Sequence, residues 1–269
     1  MAFRLALNTV TIKPATLDEK VAATAEAGYE GIGLWNHEVS EFVARGGTLE
    51  ALAKRLKTLG LVAPEMCSAG GGWQYADEAT RRKALEDVKP RFEMCAALSV
   101  GCIIAAAAEG VGELSQAADD FAALCRVAAQ FGVRVAFEII GPRKQLNNMA
   151  VGWEVVRRAA QPNGGIMVDT FHFYRGGSTL EQLQPIPTDK IYVVHINDAT
   201  GKPREQLTDA DRVHVGRGVI PVKDILAALK AKGFDGFLSL ELFNRDYWAE
   251  SPRKVAADGK AALTAMVHG

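Results

Sequence analysis

Gly165-Ile166-Met167-Val168-Asp169-Thr170-Phe171-His172 decides how this chain is read: an uncharged apolar run stops on an acid, and an imidazole follows three residues later. A run without alternating polar residues fits a parallel strand covered on both faces, so its end is where a functional group can emerge. The same event recurs on either side of it. Val133-Arg134-Val135-Ala136-Phe137 ends on Glu138, Ile191-Tyr192-Val193-Val194 ends on His195, and Phe237-Leu238-Ser239-Leu240 ends on Glu241.

Between these strands the sequence alternates with helical patterns from end to end. Phe3 to Asn8 reads as a first strand, and Thr16-Leu17-Asp18-Glu19 as a capping box that opens a helix closed at Gly28. Tyr29 to Leu34 follows as a strand, then a loop. Thr48 starts a helix with Leu49, Leu52, Leu56 and Leu59 at helical spacing. Leu61 to Cys67 and Cys102 to Ala107 are further strands, separated by a helical stretch from Asp77 to about Leu98 that Pro90 must kink or split. Helices are expected over Gly112–Phe131, Asn148–Ala160, Ser178–Leu183, Val222–Ala231 and Pro252–Met266. Thr200 to Val219 lacks periodicity and reads as a lid over an active site.

Eight strands alternating with helices predict a (β/α)8 TIM barrel, a single domain over residues 1–269. A doubly wound open sheet is the alternative. The two differ in what happens to Glu138, Asp169, His195 and Glu241: a barrel brings its carboxyl strand ends to one mouth, whereas an open sheet strings them along a line.

A net charge of −1, from 31 basic and 32 acidic residues, excludes a general affinity for nucleic acid or anionic membrane and leaves a small polar ligand as partner. The start of the chain lacks a signal-peptide pattern and no 18-residue apolar run occurs, so a soluble cytoplasmic protein is expected. Cys67, Cys95, Cys102 and Cys125 lack ligand or disulfide spacing and read as buried thiols.

Singly, a carboxylate at a strand end is usually a helix cap. Together, at offsets of 31, 26 and 46 residues, three such carboxylates would repel unless a cation lay between them. One divalent ion resolves that conflict. Oxygen-rich ligation with one imidazole suits Mn²⁺, Co²⁺, Zn²⁺ or Mg²⁺ alike. Asn8, Trp35, His37, Glu65, Trp73 and Glu109 lie at the remaining strand ends or loops, where aromatic faces stack on a ring and polar groups read hydroxyls. Of these, Trp35, His37 and Trp73 are taken as substrate contacts.

These residues carry a resemblance to the xylose isomerase-like barrels, a family of sugar isomerases, epimerases, inosose-handling enzymes and endonuclease IV. Its strongest stretches are Val168-Asp169-Thr170-Phe171-His172-Phe173, His195-Ile196-Asn197-Asp198, Leu207-Thr208-Asp209-Ala210-Asp211-Arg212-Val213, Val215-Gly216-Arg217-Gly218 and Glu241-Leu242-Phe243-Asn244-Arg245-Asp246-Tyr247-Trp248. Within the family the likeness is to the inosose isomerases of inositol catabolism. The resemblance implies that Glu138, Asp169, His195 and Glu241 ligate the metal, that Glu138 and Glu241 double as acid and base, and that His172 and Arg212 meet substrate oxygens. The implied reaction is isomerisation or epimerisation of a keto-cyclitol or ketose through an enediolate. Loss of water from an inosose or a 3-dehydroshikimate is the alternative on the same site. Five histidines are too few for the trinuclear zinc cluster of endonuclease IV. A sugar or cyclitol is thus the expected partner, and assembly of identical copies stays open.

Overall fold

The structure, a computed structural model, describes residues 3–268; Met1, Ala2 and Gly269 lie outside the described residues. Eight parallel strands close into a barrel: β1 (Arg4–Asn8), β2 (Gly31–Trp35), β3 (Glu65–Cys67), β4 (Cys102–Ala106), β5 (Val135–Glu138), β6 (Gly164–Asp169), β7 (Ile191–Ile196) and, after an inserted ribbon of β8 (Asp198–Ala199) and β9 (Arg212–Val213), β10 (Phe237–Leu240). Closure comes from β1, which pairs with both β2 and β10. The open sheet is thereby excluded.

Each strand's two-residue period divides its side chains between two cores. Leu5 and Leu7, Val135 and Phe137, and Ile166 and Val168 face outward into the layer shared with the helices, while Ala6, Ala136, Met167 and Val193 fill the barrel. Two residues beyond these inward positions stand Asn8, Glu138, Asp169 and His195, and Glu241 follows the inward Phe237 and Ser239. The sequence period itself aims them at the mouth.

The helices are α1 (Leu17–Glu26), α2 (Asn36–Ala44), α3 (Leu49–Thr58), α4 (Glu78–Asp87), α5 (Lys89–Ala97), α6 (Leu114–Ala129), α7 (Met149–Ala159), α8 (Thr170–Arg175), α9 (Val222–Ala231), α10 (Arg245–Trp248) and α11 (Pro252–His268). Thr16 and Glu19 form the expected capping box on α1. The stretch around Pro90 is split, with α4 ending before Val88 and Pro90 sitting in the first turn of α5, where its missing N–H costs no ladder bond. Three differences stand out. Residues 36–44, expected as loop, form α2, and α8 and α10 extend directly from or soon after strand ends. The helix expected over Ser178–Leu183 is a single 3₁₀ turn, Leu180–Leu183. No helix among the described residues is long and apolar enough to cross a membrane, and all four cysteines are buried and free.

Candidate active site

Glu138, Asp169 and His195 stand on β5, β6 and β7, and Glu241 directly follows β10; these four strands are consecutive neighbours in the barrel. Asp169 is paired in register with His195, and all four side chains are buried at the mouth. Single ligand atoms of Glu138, Asp169 and His172 lie within 4.8 Å of one another, and so do those of Cys67, His195 and Glu241. The candidate ligands thus fall in two adjoining triplets rather than one tight shell.

Local structure fixes each of them. Asp169 caps α8, its Oδ1 accepting from the amides of Phe171 at 2.7 Å and His172 at 3.1 Å, which leaves Oδ2 to face the mouth. Asn197 donates to the same Oδ1 and to the Glu241 carbonyl, both at 3.4 Å, while Thr170 Oγ1 ties the Asn197 side chain and amide in place. Asn197 was not singled out from sequence; its signal was its position two residues after His195.

Arg212, from β9, enters this centre and is only 1% exposed. Its Nη1 donates to Asp169 Oδ2 at 2.7 Å and to Glu241 Oε2 at 3.2 Å, and its Nε and Nη2 donate to Asp209 Oδ1. The guanidinium also lies over the Phe171 ring. Burial alone would raise Asp169, but Arg212 and the two histidines beside it hold it below the usual carboxylate range. Glu138, buried and facing Glu241 and Asp169, is pushed up to about 8 despite His195. His195 has Nδ1 3.2 Å from Glu241 Oε2 and Nε2 3.5 Å from Glu65 Oε1, and neither contact is aligned as a hydrogen bond. Although burial opposes it, these carboxylates hold the ring well above its ordinary value.

His172 is buried, and burial, reinforced by Arg212, lowers it. The Gly141 amide donates to its Nδ1 at 3.3 Å, so the neutral ring carries its proton on Nε2. That N–H faces Arg212 Nη2 at 3.3 Å, which is also a donor. Two donors converge there with no acceptor between them. Burial and the surrounding carboxylates raise Cys67 well above its usual value, so it stands here as a protonated thiol.

A cation fits this donor set. The buried His195 nitrogens lack aligned partners, three buried carboxylates share the centre with one guanidinium, and hard oxygens with one imidazole suit a divalent ion.

The lid reading for residues 200–219 takes a defined form. Asp198, buried just beyond β7, accepts from the amides of Ala199, Gly216, Gly218 and Ile220 at 2.9 to 3.1 Å. Gly218 is required, because a Cβ there would collide with the Ala199 carbonyl and the Asp198 carboxylate. This clamp, with the β8–β9 ribbon, sets Arg212 in the mouth. Asp198→Ala should loosen it by about 1.5–3 kcal/mol, so that the Gly216, Gly218 and Ile220 amides exchange roughly tenfold or more faster. Unchanged protection of those amides would show that other contacts hold the loop.

The aromatic expectations divide. Trp35 is half-buried at the mouth, donating from Nε1 to Asn8 Oδ1 at 2.7 Å and standing edge-on to both Phe243 and His37. His37 is exposed on α2 and faces a separate cleft of about 600 Å³ between α1 and α2, beside the Lys20–Glu38 ion pair. Trp73 corrects the expectation: it is 2% exposed, its Nε1 donates to the Gly70 carbonyl, and its ring packs on Phe121 and Phe137. The loop after β3 turns it into the helical layer, so it belongs to the core and is no substrate contact. Glu109 pairs with Arg143 at the surface.

The fold and this mouth define a metal-competent barrel, and comparison with known proteins places it. The family described as xylose isomerase-like TIM barrel matches residues 21–266, and the chain belongs to that family. It is 26% identical to an inosose isomerase of Bacillus velezensis over 264 residues, covering 96% of this chain and 94% of the relative. It is 29% identical to a 3-dehydroshikimate dehydratase of Pseudomonas aeruginosa, covering 92% of this chain but 39% of that protein. Among solved structures, the IOLI protein with a bound zinc atom superposes with a TM-score of 0.92 at 26% identity, over 98% of both chains.

Proposed function

We propose that the protein is a divalent-metal-dependent isomerase of a keto-cyclitol, an inosose, in which a ketone and a neighbouring hydroxyl exchange places. The observation that carries this reading is the convergence of Glu138, Asp169, His195 and Glu241 on four neighbouring strands. The similarity to inosose isomerases along nearly the whole chain supports the substrate class. Glu138, Asp169, His195 and Glu241 would hold the ion, which supplies positive charge to the ketone and its neighbouring hydroxyl and so acidifies the C–H between them.

The chain's own groups do the rest. Glu138 and Glu241 are separated by β6 and β7 around the mouth, so they flank whatever lies between them. One carboxylate takes the proton from the carbon bearing the hydroxyl as the C–H pair becomes the carbon–carbon double bond of an enediolate. The carbon-bound proton then returns to the former carbonyl carbon, while the neighbouring hydroxyl gives up its O–H proton to become the ketone and the former carbonyl oxygen gains a proton to become the hydroxyl. His172 Nε2–H and Arg212 Nη2, two donors without an acceptor between them, are placed to receive one substrate oxygen. Trp35 and Phe243 form an aromatic wall beside that position.

Incubating enzyme and an inosose in D₂O tests this reading. Solvent deuterium should enter recovered substrate or isomer at the carbon next to the ketone, with mass changing only by exchange. The second reading, a dehydratase, is favoured by the similarity to 3-dehydroshikimate dehydratases. It requires the same proton removal followed by expulsion of a β-hydroxyl as water. A product lighter by one water, absorbing in the ultraviolet as an enone, would overturn the isomerase assignment and leave the metal site standing.

A further inference from the structure

Glu65 is a buried acid that the proposed chemistry does not use. It opens β3, is 0% exposed, and lies inside the barrel two residues below Cys67, in the layer beneath the mouth. A carboxylate there is costly unless it meets donors. One firm partner is present, Ser239 Oγ, which donates to Oε1 at 2.6 Å from the middle of β10. Oε2 has no partner, and no lysine or arginine pairs with it among the described residues. The space is kept for this side chain: Gly33 lies against it, and a Cβ on Gly33 would collide with Oε1.

The remaining neighbour is His195, whose Nε2 lies 3.5 Å from Glu65 Oε1 and whose Nδ1 lies 3.2 Å from Glu241 Oε2, close enough for a small turn of the ring to align them. A ligating imidazole needs its second nitrogen to donate a proton to an acceptor, which fixes the tautomer and the ring plane and makes the ligating nitrogen more basic. Here the acceptor is an acid held from below, with its Oε1 pinned by Ser239.

We propose that Glu65 is the positioning residue for His195: it accepts a hydrogen bond from Nε2–H and so turns the Nδ1 lone pair toward Glu138, Asp169 and Glu241. This rests on the reading of that cluster as a metal site. Sequence placed Glu65 among the mouth residues; the period of β3 sets it one layer lower.

Zinc titration with a competing chelator is the test. Wild-type protein should bind one zinc ion per chain, and Glu65→Gln should weaken that affinity tenfold or more, within the range seen when such outer partners are removed. The metal-free Glu65→Gln protein should melt at or above the wild-type temperature, since an acid is gone from a crowded acidic centre, a sign opposite to that of a merely structural residue. In a His195→Gln background the same change should have no further effect on zinc affinity. Nitrogen-15 spectra of the zinc-loaded wild type should show His195 protonated at Nε2. Should Glu65→Gln not fold, Ser239→Ala decides, with a smaller loss of zinc affinity expected. Wild-type zinc affinity in the foldable variant, or an equal loss in the His195→Gln background, would overturn the role of Glu65 while leaving the metal site intact. A wild-type protein that binds no zinc would overturn both together.

Discussion

Purified protein should carry one divalent ion per chain, and the Asp169→Asn/Glu241→Gln double variant should lose it together with activity, by about a thousandfold or more. A cation that polarises a ketone contributes several kcal/mol to the transition state, and each 1.36 kcal/mol is tenfold in rate. The two residues are chosen because they sit on β6 and beyond β10, on either side of His195, and because Arg212 Nη1 already bridges them. Both changes keep shape and remove charge. Restoring metal to chelator-treated wild type should raise the melting temperature, since the folded state alone assembles the four groups; an ion at a hundred times its Kd adds about 2.7 kcal/mol. The double variant should show no such rise. Elemental analysis that finds equal metal in wild type and double variant would place the ion elsewhere or remove it from the mechanism.

The barrel was legible because its strands are parallel and covered on both sides, so each reads as an unbroken apolar run ending where a polar group emerges. Val168-Asp169 and Leu240-Glu241 announce both the strand and the acid at its mouth end. What escaped lacked such a signature. The helix α2 begins at Asn36 without a side-chain cap and is short and largely polar, so nothing in its sequence separates it from a loop. Trp73 was misplaced because a loop's position along the chain says which end of the barrel it joins but not whether its tip turns inward to the core. Glu65 illustrates the limit in the other direction: a three-residue strand offers too little period to say which layer its first side chain enters. Asp198 stood in plain view beside His195, yet only the folded loop shows four amides gathered on its carboxylate.

Arg212→Ala should have two effects that separate cleanly. In the folded protein this guanidinium lies 2.7 Å from Asp169 and 3.2 Å from Glu241, and it is buried. Its removal leaves two buried carboxylates without their partner, a change that costs about 3–5 kcal/mol when one member of a buried pair is taken away. For a chain of this size that is roughly 10 °C in the melting temperature of metal-free protein. A bound ion would take over the same charges, so zinc should restore most of the loss, and the rise on adding metal should be larger in the variant than in the wild type. Activity should not recover with it. The donor pair of Arg212 Nη2 and His172 Nε2–H would be broken, and losing one charge-assisted hydrogen bond of about 1.5–3 kcal/mol should lower kcat/KM about tenfold or more in the metal-loaded enzyme. Arg212→Lys should repair the stability in part and the kinetics poorly, since a single ammonium cannot span Asp169, Glu241, Asp209 and the substrate oxygen as the planar fork does. Wild-type kinetics in metal-loaded Arg212→Ala would confine the residue to balancing charge and remove it from substrate recognition.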